Sequence, residues 1–178
     1  MDKALFEKNQ TVQLKDAKKP FPSGKGVGVL RWGLKTNEDQ LLPFELTCWP
    51  EESDDGQFNV NVEYTLKNES LKLKDVDIVI PGLTSAPEVE SVDGVYQYNS
   101  EKSSLLWHLD QVDSSNTTGT LEFNVSGTDV DSFFPVTLTF STDQVMCEFV
   151  VSSCTTVEDD DAIRFGLSQL MTADIKVG

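Results

Sequence analysis

The chain has 178 residues, of which 38% are hydrophobic and 9% aromatic. A chain of this length and composition buries a sizeable core, which excludes an intrinsically disordered protein. Thirty acidic residues against 14 basic ones give a net charge of −16, with a single histidine. Because such a surface repels nucleic-acid phosphates and anionic lipid headgroups, we expect no nucleic-acid partner and no broad electrostatic binding to membranes.

Segments in which apolar and polar residues alternate recur along the chain, and this period of two residues predicts strands. The predicted strands cover 29–36 (VLRWGLKT), 43–49, 58–66, 76–80, 105–109 and 121–125. A further pair, 88–92 and 95–98, flanks Asp93-Gly94, a dipeptide typical of two-residue hairpin turns. Long helical periodicity is almost absent, so the sequence predicts an all-β sandwich.

The stretch from Phe133 to Cys154 carries the longest strand pattern. Apolar residues at 136, 138 and 140 alternate with threonine and serine, 142–144 supplies polar turn residues, and 146–151 resumes an extended pattern. We interpret this stretch as a core hairpin onto which the earlier strands dock. A last strand is predicted at 163–167 (IRFGL), followed by a short tail without a predicted element.

The three cysteines, Cys48, Cys147 and Cys154, have no CxxC spacing, which favours free, buried thiols in a reducing compartment. No apolar run approaches the about 20 residues of a membrane span, and no signal peptide is recognisable. Four Asn-x-Ser/Thr sequons leave open an extracellular β-sandwich that mediates adhesion or binds glycans. The unpaired cysteines and the missing signal peptide count against that alternative.

The search for catalytic residues finds no constellation. His108 stands alone in a strand pattern, without a serine-nucleophile motif, a zinc motif or a dinucleotide fingerprint, so we interpret it as structural or solvent-facing. The acidic runs 54–55 and 159–161 lack the spacing of a calcium loop. We therefore predict a non-enzyme with no cofactor and no metal. A hydrolase with paired carboxylates is supported only by the abundance of acidic residues.

Binding is the remaining class of function. Trp32 and Trp107 lie on inward faces of predicted strands, whereas Trp49 precedes Pro50 and an acidic loop, at the rim. An exposed indole is a good anchor for a ligand, and an exposed sheet edge can accept an extended peptide as an added strand.

The order of several segments resembles the mu-homology domain found at the C-terminus of delta subunits of the coatomer (COPI) coat. The segments are GVGVLRWGLKT, LLPFELTCWPEES, FNVNVEYTLKNESLKLKDVDIVIP, VESVDGVYQYNSEKSSLLWHLDQVD, GTLEFNVSG and DSFFPVTLTFSTDQVMCEFVVSSCTTV. The resemblance covers about residues 4–165 and implies a bent, elongated all-β fold of two subdomains, the second inserted into the first. It predicts subdomain A at 1–56 and 127–178, without its first strands, and subdomain B at 57–126. The acidic tract at 51–56 independently suggests the first boundary.

The resemblance also implies a function and partners. It implies a cytosolic domain of the COPI coat in Golgi-to-endoplasmic-reticulum transport, attached to Golgi membranes and vesicles through the other coatomer subunits. The expected ligands are tryptophan-containing peptides of a vesicle-tethering complex and of an Arf GTPase-activating protein. The candidate peptide-binding residues are Trp49, Arg164 and Phe165.

A related alternative is an adaptor medium-chain-like domain that binds tyrosine-based sorting signals. The medium chains that the sequence resembles carry an aromatic residue and, two positions on, an arginine. This chain has Phe165 and then Leu167, so the arginine that would hold the tyrosine is absent.

Overall fold

The computed structural model describes residues 3–14, 16, 18–22, 24–31, 33–38, 42–53, 56–127, 129–144 and 150–178. The chain divides into two units, Met1–Asn37 with Cys147–Ser168 and Glu38–Met146 with Gln169–Gly178. We call these the first unit and the sheet unit. The predicted division into subdomains, with boundaries after 56 and after 126, stays a prediction.

The first unit contains little regular structure in its described residues. Helix α1 spans Lys3–Asn9, and the N–H of Gln10 donates to the carbonyl of Phe6 at 2.7 Å just after it. An isolated antiparallel bridge joins Thr155 to Ala162. Within the ranges given above, no helix has the length and apolarity that crossing a membrane requires.

The described residues of the sheet unit form nine strands. They are β1 (Phe44–Ser53), β2 (Gln57–Leu66), β3 (Leu73–Ile80), β4 (Glu88–Val92), β5 (Val95–Asn99), β6 (Ser104–Val112), β7 (Thr118–Ser126), β8 (Val136–Thr142) and β9 (Met171–Val177). One antiparallel sheet has the strand order β1-β2-β7-β4, and the other has the order β5-β6-β3-β8-β9. The predicted all-β class is confirmed.

The core lies between the inner faces of the two sheets, because strands such as β2, β7 and β8 bury alternate residues. In β2 the predicted inward residues are all buried: Phe58, Val60, Val62, Tyr64 and Leu66. Aromatic contacts cross between the sheets. The rings of Tyr64 and Trp107 are 5.6 Å apart, and those of Phe44 and Phe140 are 6.5 Å apart. Burial of each such side chain contributes roughly 1.5–3 kcal/mol.

The predicted hairpin at Asp93-Gly94 is wrong, because β4 and β5 belong to different sheets. The Asp93 N–H donates to the carbonyl of Thr120 in one sheet, while its carbonyl accepts from the indole N–H of Trp107 in the other. Gly94 then turns the chain with φ of +90°. The two residues carry the chain across the edge of the sandwich instead of folding β5 back onto β4.

The predicted hairpin at 133–154 is correct only in its first strand. β8 buries Val136, Leu138 and Phe140, as the alternation predicts. Its neighbours, however, are β3 and β9, the latter formed by the tail that had no predicted element. Residues 145–149 lie outside the described ranges, and 150–154 form no strand.

Two more predicted strands are not observed. The described residues of 29–36 form no strand, and Val29 and Leu34 are exposed. Residues 163–167 also form no strand, although Ala162 just before them takes part in the isolated bridge. Alternation shows that a segment is able to form a strand, but a strand also needs a neighbour that offers hydrogen bonds. Trp32, predicted to be buried, lies outside the described residues.

Candidate functional site

Trp49 lies on the outer face of β1, an edge strand, and its side chain is 66% exposed. Asn61 of β2 lies directly opposite, and its buried Oδ1 has no hydrogen-bond partner among the residues that the structure describes. Glu45 and Glu51 share this face along β1, and Glu122 follows Asn61 across the sheet. The exposed rim position predicted for Trp49 is confirmed, and the face around it is acidic. Its contact with a ligand stays a prediction.

Arg164 and Phe165 belong to the first unit, and Trp49 belongs to the sheet unit. Phe165 is 46% exposed, and it follows a turn closed by two hydrogen bonds. In that turn the Thr156 N–H donates to the Asp161 carbonyl at 2.9 Å, and the Ile163 N–H to the Cys154 carbonyl at 2.8 Å. A peptide site that combines these two residues with Trp49 stays a prediction.

A cavity of about 380 Å³ opens in the sheet unit where the chain crosses from β4 to β5. Its lining combines an aromatic ring and an apolar side chain with amide and carboxylate groups. The lining residues are Tyr64, Asp93, Gly94, Leu109, Asp110, Gln111, Asn116 and Thr118. Ligand pockets in proteins are typically about 300–1,000 Å³, so this half-open cavity is at the small end of that range.

Hydrogen bonds hold the polar groups around this cavity in place. The Tyr64 hydroxyl donates to the Asn116 carbonyl at 3.1 Å, and the Thr120 N–H donates to the Asp93 carboxylate at 2.8 Å. Burial, together with the Asp93 charge, raises the pKa of Tyr64, so its hydroxyl stays a donor. The carboxylates of Asp93 and Asp110 are acceptors with lone pairs to spare, which favours a ligand group that donates a hydrogen bond.

Strand β5 begins directly after this cavity and is the edge of its sheet. Its sequence VYQYN contains no charged residue and no proline. The side chains of Val95 and Tyr96 are 60% and 47% exposed. The other edge strands, β1, β4 and β9, each carry at least two charged residues, which natural proteins use to discourage strand addition. β5 is therefore the least protected edge of the sheet unit.

His108 lies on the outer face of β6 between two carboxylates. Its Nδ1 is 2.6 Å from Asp77 of β3, and its Nε2 is 3.1 Å from Asp110. The hydrogen bond to Asp77 raises the pKa of His108, with a smaller contribution from Asp110. This geometry agrees with a structural, partly solvent-facing histidine, since the side chain is 28% exposed.

Two further predictions concern thiols and metals. Cys48 and Cys154 are free, and burial raises the pKa of the Cys48 thiol to about 12, so it is a poor nucleophile at neutral pH. Cys147 and the acidic pair 54–55 lie outside the described residues. Among the residues that the structure describes, no three histidine, cysteine or acidic side chains are arranged to hold a metal ion.

Comparison with known proteins identifies the family. The model of the adaptor complexes medium subunit family matches residues 1–177. The chain belongs to this family. Membership in a family of adaptor subunits confirms the prediction that the domain is not an enzyme, independently of the search for catalytic residues.

Coatomer delta subunits are among the curated proteins that are similar in sequence to this chain. A probable coatomer subunit delta of Caenorhabditis elegans is 40% identical over 152 residues, which is 85% of this chain and 29% of that protein. The coatomer subunit delta of Dictyostelium discoideum is 36% identical over 178 residues, which is 98% of this chain and 31% of that protein. The chain thus spans about a third of the length of these relatives, and the resemblance drawn from the sequence segments is confirmed.

A solved structure shares the fold of this chain. The yeast delta-COP-I mu-homology domain, in complex with a Dsl1 WxWxV peptide, has a TM-score of 0.69. The two sequences are 21% identical, and the match covers 99% of this chain and 74% of that one. The likeness establishes the mu-homology fold.

Sequence reasoning missed the cavity and the β5 edge. The cavity depends on Asp93-Gly94 crossing between sheets, and a local turn motif does not reveal that. The exposed edge did leave a signal, because VYQYN has no charge in a chain of which 25% is charged. The lack of charge indicates an unprotected edge only when β5 is known to be the edge strand of its sheet.

Proposed function

We propose that this chain is a non-catalytic domain that docks tryptophan-containing peptides within the COPI coat. The observation that carries the proposal is the fold shared with a delta-COP-I mu-homology domain that holds a WxWxV peptide. The similarity to coatomer delta subunits along 85–98% of the chain supports the same role.

The sheet unit has the physical features that such docking needs. In a W-x-W-x-V segment the three apolar residues are two positions apart, so in extended geometry they all project from one face. An antiparallel sandwich with exposed edges offers both main-chain hydrogen bonds and apolar contacts to a segment of this kind. A flexible segment loses entropy when it is ordered, so we expect micromolar rather than nanomolar dissociation constants.

The similarity to coatomer delta subunits also supports a proposal for the wider role of the chain. Other coatomer subunits are the expected stable partners, and they connect the domain to Golgi membranes and COPI vesicles in Golgi-to-endoplasmic-reticulum transport. A vesicle-tethering complex and an Arf GTPase-activating protein are the expected sources of the peptides. The candidate contact residues Trp49, Arg164 and Phe165 remain part of this proposal.

Calorimetric titration tests the docking function. The probe is a capped, uncharged peptide, Gly-Ser-Trp-Ser-Trp-Ser-Val-Ser, and the control has alanine in place of both tryptophans. We expect saturable binding of the first peptide and at least about tenfold weaker binding of the second, because buried indoles supply much of the affinity of short peptides. Absence of binding of the tryptophan peptide at millimolar concentration would contradict the proposed function.

A further inference from the structure

We infer that the outer face of the first sheet, β1-β2-β7-β4, is a docking surface for a folded partner that presents arginine side chains. We call it the acidic face, and it consists of the alternate side chains of these four strands that point away from the core. Three of its properties carry the inference: charge of a single sign, an exposed indole within that charge, and an acceptor without a donor. The inference goes beyond the docking of tryptophan peptides and does not rest on it.

The charge of this sheet has one sign. Its strands contain seven glutamates, three in β1, two in β4 and one each in β2 and β7, and they contain no lysine, arginine or histidine. Within the described part of the chain, Lys67 directly after β2 is the one cation that pairs with any of them, at 3.2 Å from Glu45. Because like charges on neighbouring strands repel each other, a partner that brings positive charge to this face is attracted.

The exposed indole of Trp49 lies within this charge. Glu51 is two positions further along the same face of β1. Glu63 of β2 is a diagonal neighbour, because it lies opposite Thr47, two positions before Trp49. Diagonal neighbours in a sheet are within reach of long side chains. The face of an indole attracts cations, and a planar guanidinium is able to stack on the ring while it donates hydrogen bonds to carboxylates. This arrangement therefore favours arginine over lysine.

The polar groups beside Trp49 lack a donor. The buried Oδ1 of Asn61, directly opposite on β2, is the acceptor that no described residue reaches with a hydrogen bond. In the next row of the face, the donors serve other side chains: Asn59 donates to Asn124 at 3.1 Å, and Asn124 donates to Glu90. An arginine side chain has five N–H donors and no acceptor, so it is complementary to a surface that offers acceptors.

The layout of the glutamates in two dimensions favours a folded partner. β1 and β2 have ten residues each, which at about 3.3 Å per residue gives a length of roughly 30 Å. Four strands about 4.8 Å apart give a width of roughly 14 Å. An extended peptide would lie along one row and leave most of the carboxylates uncovered. A folded surface with several arginines reaches all four strands at once.

Binding of lysozyme, a small folded protein with a basic surface that contains arginines, tests the location. Calorimetry at low ionic strength should show saturable binding to the unmodified chain, and added salt should weaken it. The double variant Glu51→Gln and Glu63→Gln should lower the affinity at least about fivefold. The matched control, Glu101→Gln with Asp174→Asn, removes the same charge from exposed positions outside the acidic face and should change the affinity less than about twofold.

Substitution of Trp49 tests the contribution of the indole. We expect Trp49→Ala to weaken lysozyme binding at least about threefold, and Trp49→Phe to weaken it less, because phenylalanine keeps an aromatic ring. Tyr96→Ala removes an exposed ring from the second sheet and should change the affinity less than about twofold. Circular dichroism and thermal unfolding confirm that each variant is folded. Equal effects of Trp49→Ala and Tyr96→Ala would overturn the assignment of the indole.

Two further probes test the chemistry and the folded state of the partner. Treatment with O-methylisourea converts the lysines of lysozyme to homoarginines without a change of charge, and the product should bind more tightly than untreated lysozyme, because it presents more guanidinium groups. The flexible peptide Gly-Arg-Gly-Arg-Gly-Arg-Gly-Arg should bind more weakly than lysozyme, because it covers one row of the face.

The outcomes that would overturn the inference are distinct. Absence of lysozyme binding at low ionic strength would overturn it, and so would equal effects of the two neutralised pairs, which would mean that net charge alone attracts lysozyme. Guanidinated lysozyme that binds no more tightly would overturn the preference for arginine. If the flexible arginine peptide binds at least as tightly as lysozyme and loses affinity with the same variants, the surface belongs to a flexible segment and the folded occupant is overturned. The proposed function is tested separately, because its probe carries no charge.

Discussion

At the scale of single residues, the surface imidazole of His108 is controlled by its neighbours. Asp77 of β3 and Asp110 of β6 approach its two ring nitrogens, and both favour the protonated form. Val95, its cross-strand neighbour on β5, carries no charge. The histidine thus joins β3 to β6 on the outer face of the second sheet, and this contact depends on pH.

The pKa shift has a defined consequence for stability. A pKa raised in the folded state stabilises the fold fully below the unfolded pKa of about 6.5, and this contribution is lost as pH rises through the folded pKa. We expect Asp77→Asn to lower the free energy of unfolding more at pH 5.5 than at pH 9. Denaturant unfolding at both pH values measures this difference. A variant effect that grows toward pH 9 would contradict the assigned shift.

Gly94 is required by the geometry of the crossing between sheets. Its φ is +90°, and a Cβ added there would lie 2.6 Å from the His108 carbonyl oxygen. We expect Gly94→Ala to destabilise the chain by about 1–3 kcal/mol, because a left-handed conformation and a close contact with the backbone act together. Thermal unfolding measures the loss. Gly26→Ala is the control, since an added Cβ there meets nothing within 4 Å. Equal stability of the two variants would show that Asp93-Gly94 is not a constrained crossing.

At the scale of the strands, the sequence correctly predicted the strands that show clear alternation and that pair with neighbours in the sheet unit. The residues of β2, β6 and β7 that were predicted to face inward are all buried. Residues 29–36 show the same alternation, but the described residues among them form no strand. Pairing depends on distant segments, and a single segment contains no information about them.

The candidate site illustrates the same physical limit. The exposure of Trp49 was predictable, because Pro50 and an acidic loop follow it directly. The edge position of β5 was not, because the Asp93-Gly94 dipeptide satisfies the local rules for a hairpin as well as those for a crossing. Hydrogen bonds to Thr120 and Trp107, both distant in sequence, determine which of the two forms.

Strand β9 gives the clearest test of an element that the sequence did not predict. Ile175 lies opposite Leu138 of β8 and packs against the core, whereas the neighbouring Asp174 is exposed. We expect Ile175→Asp to cost about 1–3 kcal/mol of unfolding free energy, because it brings a charge to a partly buried apolar position. Asp174→Ser should change that energy by less than about 0.5 kcal/mol. Denaturant unfolding compares them, and similar small effects of both would mean that the tail is not a strand.

At the scale of the whole molecule, charge and topology restrict the partners that the chain accepts. The net charge of −16 opposes self-association and contact with nucleic acids. The second sheet still leaves one edge, β5, without charged residues beside a small cavity. The proposed capture of flexible segments of other proteins agrees with the adaptor family to which the chain belongs.

Hydrogen–deuterium exchange with and without the tryptophan peptide tests this account most directly. A bound peptide shields amides that otherwise face solvent. We expect the peptide to slow exchange at one contiguous group of amides, while the rest of the chain exchanges as before. Unchanged exchange throughout the chain at a saturating peptide concentration would contradict it.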